Sequence, residues 1–219
     1  MNLWQTRDAA ISALASEMRE EAALMSEVFD CTDDCIRHLE AIDDPFAQVT
    51  GLTLVKARHL GLACYDLCLN GLGQESGAVF RVLIETLELL TYFRLDPSRI
   101  EQAIAEKLPQ PGKRGKMIKG HFKDVRDYLN EDASHVSWTP DSMRHLLDTA
   151  GCFRLDQQFN AAVLRKNLQV LFAVLVFTAI EGVNCLGIAG GSQHDELADP
   201  VEKLKGEGID SFARLVRGA

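Results

Sequence analysis

The chain carries apolar residues almost everywhere at helical spacing. Over residues 3–41 the apolar positions are Ile11, Leu14, Met18, Ala22, Met25, Phe29, Ile36 and Leu39. Steps of three and four place them on one stripe, which predicts a single long amphipathic first helix. "DDPF" (43–46) ends it, since proline cannot continue the hydrogen-bond ladder. A second helix is expected from about Thr50 to Leu69, then a turn at "NGLG" (70–73) and a third helix through "VFRVLIETLELLTYFRLDP" (79–97). So short a connection favours antiparallel neighbours.

A short helix is expected from Pro97 to about Leu108, then a loop at "PQPGKRGK" (109–116) and a helix from Met117 to about Asn130. Thr139-Pro140-Asp141 reads as a helix start. Asp156 is the expected cap of a long apolar helix over about 158–188, and a last helix, about 195–217, is interrupted at Pro200 and "GEG" (206–208). Strand alternation is almost absent. The fold class expected is all-α: an antiparallel helical bundle with long central helices, one domain over 1–219. "VLFAVLVFTAI" (170–180) is short for a membrane span and is read as a buried core helix.

Charge changes this picture in one place. The net charge is −9, which argues against indiscriminate binding to nucleic acid or anionic membrane. Residues 107–126 reverse the sign: Lys107, Lys113, Arg114, Lys116, Lys119, Lys123 and Arg126 face Asp124 alone. This basic island is expected to contact an acidic protein surface, first of all the acidic first helix of a second copy through Glu17, Glu20, Glu21 and Glu27, with RNA as the less favoured partner. A homodimer follows from that reading. There is no basic n-region leading into an apolar segment at the start, and six cysteines without such a leader suit reduced thiols in a cytoplasm.

The chemistry on the helices is sparse. Arg81 and Glu85 share a face, and Glu88 follows two turns from Arg81. Glu181 and Asn184 form a second polar pair on the most apolar helix, and Arg81 is the expected partner of Glu181. His135, in "ASHVSW", is the candidate acid-base group near neutrality. Together these make a polar cluster, either a packing device or the floor of a pocket for a small polar ligand. Cys31/Cys35 and Cys64/Cys68 could supply four thiolates to zinc, but their spacing is wider than in zinc knuckles. No Glu-x-x-His occurs, so a di-iron bundle is excluded, and no phosphate loop or nucleophile elbow is present. His194-Asp195 is read as a helix start rather than a metal doublet. No metal and no cofactor are expected.

The stretch from Leu67 to Pro97, with Arg81, Glu85, Tyr92 and Asp96-Pro97, resembles a family of uncharacterised bacterial helical proteins related to the HEPN superfamily. "DYLNEDASHVS" is similar to that family's later junction through Tyr128, Leu129 and His135, with Asn130 where serine is usual. The resemblance spans roughly residues 50–140. It implies a HEPN-like fold and, in the superfamily's ribonucleases, an arginine and a histidine with four to six residues between them. Eight residues lie between Arg126 and His135 here. A non-catalytic binding or interaction protein is therefore the leading expectation. A metal-independent ribonuclease using His135 and Arg126, or an RNA-binding protein, comes second, and a small-ligand sensor third.

Overall fold

In the computed structural model, residues 4–120, 129, 146–147, 151–153 and 158–217 are described, and among them the structure is all-α. The helices are α1 (Gln5–Ser16), α2 (Arg19–Glu40), α3 (Pro45–Leu69), α4 (Gly73–Leu95), α5 (Ile100–Ile104), α6 (Pro111–Met117), α7 (Ala161–Ile188), α8 (His194–Lys203) and α9 (Ile209–Arg217). A 3-10 turn (Pro97–Arg99) leads into α5, and a π-helical turn (Leu204–Gly208) joins α8 to α9, so the chain stays helical through Pro200.

Several boundaries differ from expectation. The single first helix is two, broken at Glu17-Met18. Met18 leaves helical geometry (ψ 34°) and is fully buried, so the break drives an apolar side chain into the core. Proline at 45 starts α3 instead of merely ending what precedes it. Asp44 accepts hydrogen bonds from the Phe46 and Ala47 amides at 2.8 and 3.1 Å, and Pro45 occupies the first helical position, where no amide is needed. Asn160 caps α7, its Oδ1 accepting from the Val163 amide at 3.0 Å, while the expected cap Asp156 lies outside the described residues.

α3 and α7 touch each other and both touch α2 and α4, so they form the inner pair with α2 and α4 on the flanks. Small residues let the inner pair close: a Cβ on Gly61 would lie 2.7 Å from Leu175 Cδ2, and one on Gly182 would lie 2.8 Å from Leu54 Cδ2. The direction of each helix follows from contacts at its two ends. Phe29 meets Gly61 while Leu39 meets Gly51, so α2 and α3 are antiparallel. Cys64 and Cys68, late in α3, meet Ser76 early in α4, whereas Phe46 and Phe93 share one cluster, so α3 and α4 are antiparallel too.

α7 breaks the alternation. Gly73 lies against Asn167 and Arg94 bonds Glu181, so α4 and α7 run the same way. Glu21 bonds Arg165 and Cys35 meets Gly182, so α2 and α7 do as well. By length and composition α7 is apolar enough to cross a membrane, but 61% of its most apolar stretch is buried in this protein. Its Leu168, Leu171, Phe172, Leu175 and Val176 fill the main core with Leu39, Leu54, Leu83 and Leu90. A second, smaller cluster of Phe46, Tyr92, Phe93 and Cys185 closes the end where α4 hands over to α5 and α6.

Candidate functional site

Four side chains of α4 recur on one side of the helix at steps of four, three and four: Arg81, Glu85, Glu88 and Tyr92. Arg81 Nε donates to Glu85 Oε1 at 3.1 Å, and their side chains are 32% and 15% exposed. Glu88 is buried at 2%. The segment 97–120 folds back over this side and touches α4 through α6.

α6 forms where a loop is expected. Proline and two glycines argue against a helix interior, but Pro111 stands at the first helical position and the helix is short. Its most buried charged residue is Arg114. Expected in the exposed basic island, this residue is only 8% exposed and points inward, and its Nη1 donates to the Pro109 carbonyl at 2.6 Å. Burial pushes the guanidinium below its ordinary value, and the nearby Glu85 and Glu88 carboxylates and Tyr92 pull it back. Among the described residues its Nε has no hydrogen-bond partner.

After α6 the chain turns through Lys119 in the left-handed region (φ 52°), which lets the Gly120 amide bond the Gly115 carbonyl at 3.0 Å. Gly120 then lies directly over Glu88. A Cβ there would stand 2.8 Å from Glu88 Oε1, closer than any real contact. Beside it, the Tyr92 hydroxyl donates to Gln102 Oε1 at 3.0 Å. Arg99 stacks 4.3 Å over the Tyr92 ring and donates to the Tyr92 carbonyl at 3.0 Å.

The arrangement is balanced. Two guanidinium groups, Arg81 and Arg114, face two carboxylates, Glu85 and Glu88. The cluster lies between α4 and the segment that carries α6. An open groove of about 520 Å³ lies elsewhere, lined by Glu207, Asp210, Ser211, Ala213 and Arg214.

Glu181 is not the partner of Arg81. Arg94 takes that place, donating from Nε and Nη2 to the two carboxylate oxygens at 2.5 and 3.1 Å, a fork-on-fork geometry. This hydrogen bond holds the Arg94 guanidinium above its usual value. Had α7 run against α4, Glu181 would lie near the start of α4 and Arg81. Running with it, Glu181 meets the end of α4. Asn184 is half-buried one turn on. Among the described residues, the most buried ion pair joins α7 to α2. Arg165 Nε donates to Glu21 Oε1 at 2.7 Å, with exposures of 15% and 1%, and its Nη2 reaches the Glu17 carbonyl at 3.1 Å. Glu21 therefore faces inward and does not belong to the exposed acidic surface. Periodicity gives its signal only as a charge at an otherwise apolar position.

Lys113, Lys116 and Lys119 are exposed. His135, Arg126 and Lys123 lie outside the described residues, as do Tyr128 and Asn130. The cysteine pairs go to different places. Cys64 and Cys68 hydrogen-bond with Ser76. Cys35 lies against Gly182 and belongs with Cys31 and Cys185 on the α2–α7 side. Among the described residues, no group of three or more His, Cys, Asp or Glu side chains could hold a metal ion. Burial pushes the Cys31 thiol up to about 11 and Cys35 and Cys64 up to about 12, and raises Cys68 and Cys185. Such thiols are poor nucleophiles. His194 Nδ1 lies 3.0 Å from Asp195 Oδ1 at the start of α8, its ring packed on Gly187.

No family model, no curated protein and no solved structure matches this chain.

Proposed function

We propose that this protein is a non-catalytic binding or interaction protein, a HEPN-like helical bundle that acts through its surface and not through an internal reaction centre. One observation carries the reading: Arg81 pairs with Glu85 within α4, Arg114 is buried beside Glu85 and Glu88, and Gly120 closes over Glu88. A catalytic carboxylate or a ligand-reading arginine needs an open side facing substrate. The raised thiols argue the same way, since the described core offers no activated nucleophile.

The test addresses the ribonuclease directly. Purified protein is incubated with labelled single-stranded RNA in the presence of a chelator, beside the Arg126→Ala and His135→Ala variants. No cleavage by any of the three is the expected result. Cleavage by the parent that both variants lose would overturn the proposal and establish a metal-independent nuclease.

A further inference from the structure

Among the described residues, each flank carries charge without a partner of opposite sign, and the two flanks are of opposite sign. On the outer face of α2, Glu20, Glu27 and Asp30 are exposed, with Ala23 between them on the same stripe. Among the described residues none of these acids meets a cation. Asp30 contacts the Ser26 hydroxyl at 3.5 Å, and three other α2 acids are used at home, Asp33 with Arg58, Asp34 with Arg37 and Glu21 with Arg165. On the opposite flank, Lys107, Lys113, Lys116 and Lys119 are exposed around α6, and no acid among the described residues pairs with them. Ile104 and Met117 stand beside them, 63% and 48% exposed.

The two faces do not meet within one chain. α6 packs on α4, and α2 lies on the far side of the α3–α7 pair. They do match in spacing. Glu27 and Asp30 are three residues apart on one helix, and so are Lys113 and Lys116 on another, which sets both pairs at about 5–6 Å. Ala23 leaves room on the acidic face for the apolar side chains that accompany the lysines.

We infer that the basic surface of α6 docks on the acidic face of α2 of a second copy of this chain. This rests on the non-catalytic reading and names its partner. Because the two faces lie on opposite flanks, the contact is head-to-tail. It closes into a ring or extends, and is not confined to a two-fold dimer.

Sedimentation velocity over a concentration series tests this in the full chain. The mass should rise with concentration at about 0.01 M salt, where the Debye length is about 30 Å, and fall to monomer at about 1 M, where it is about 3 Å. Two charge-reversed variants follow: K113E/K116E/K119E, and E20K/E27K/D30K. Each should stay monomeric alone, and mixing the two should restore association, because each then presents the sign the other lacks. The neutral pair K113Q/K116Q/K119Q and E20Q/E27Q/D30N provides the same loss should a reversal disturb folding, as judged by melting temperature. A parent that is monomeric throughout, or an association that persists in both reversed variants, overturns the inference. So does a monomeric parent whose lysines retain RNA on a filter at physiological salt. None of these results bears on RNA cleavage, so the non-catalytic reading stands or falls separately.

Discussion

Replacing Arg165 by alanine should be among the most damaging single changes on the charged residues of this protein. Glu21 is 1% exposed, and its carboxylate is held by Arg165 Nε at 2.7 Å. Removing the guanidinium strands a buried anion, which costs about 3–5 kcal/mol. The same substitution frees the Glu17 carbonyl, where α1 ends, from Arg165 Nη2. For a domain of this size each kcal/mol moves the midpoint by about 2–4 °C, so the loss is about 6–20 °C. Glu21→Gln should be milder, about 1–2 kcal/mol, because Arg165 keeps the Glu17 carbonyl and reaches solvent. The double variant Glu21→Leu/Arg165→Met should recover most of the loss, since apolar side chains of similar volume replace a buried ion pair at little cost. Thermal denaturation followed by circular dichroism decides. A shift below about 2 °C for Arg165→Ala, or a double variant as unstable as the single one, would refute the account of a buried pair with a stranded partner.

Arg94→Ala should destabilise by about 2 kcal/mol because it leaves the nearly buried Glu181 without its bidentate partner, whereas Arg81→Ala should cost no more than about 0.5 kcal/mol, the value of a half-exposed pair within one helix; chemical denaturation of both variants gives the order. Lys119→Gly should stabilise by about 0.5–1 kcal/mol by relieving a left-handed residue, and Gly120→Ala should destabilise by about 1–3 kcal/mol by driving a methyl group into Glu88; the sign of the change in denaturation midpoint checks each. Under native conditions near neutral pH a thiol reagent should label the exposed Cys152 quickly and the five buried cysteines only on unfolding, which mass spectrometry after timed quenching resolves. Because burial raises the thiols from about 9 in the unfolded chain to about 11 at Cys31 and about 12 at Cys35 and Cys64, the native state holds protons that the unfolded state releases. That stability is fully present below pH 9 and is lost as pH rises toward 11–12, so the melting temperature should fall over that window.

α3, α4 and α7 are legible in the sequence because burial is written into their apolar spacing and their ends carry proline, glycine or a capping side chain. The break at Met18 is not. Methionine keeps the helical stripe intact, so periodicity runs straight through a residue that leaves the helix to enter the core. α6 is hidden for the opposite reason: its proline and glycines are local breakers, and Arg114 is buried beside Glu85 and Glu88 of α4, neighbours well outside its own segment. Composition also misassigns Arg114 itself, since a guanidinium among lysines looks like a surface charge until its neighbours in space are known. The polar residues of α4 stand out by type, yet the partner of Glu181 depends on which way α7 runs. Arg81 and Arg94 are equally plausible until that direction is fixed.

The shared direction of α2, α4 and α7 has a consequence for how the chain folds. α2, α3 and α4 follow one another through tight turns, so their pairing closes small loops at little entropic expense. α7 is separated from α2 by most of the molecule: Arg165 meets Glu21 across 144 residues. Until that long loop closes, Leu54, Leu83 and Leu90 have no α7 to cover them, and α7 carries its own apolar face unshielded. Non-local closure of this kind slows folding. Docking of α7 is therefore the expected rate-limiting event, with α2–α4 hairpins forming ahead of it. Substitutions in the α3–α4 turn, formed ahead of that event, should act on the folding rate, and those at α7 contacts completed after it mainly on the rate of unfolding.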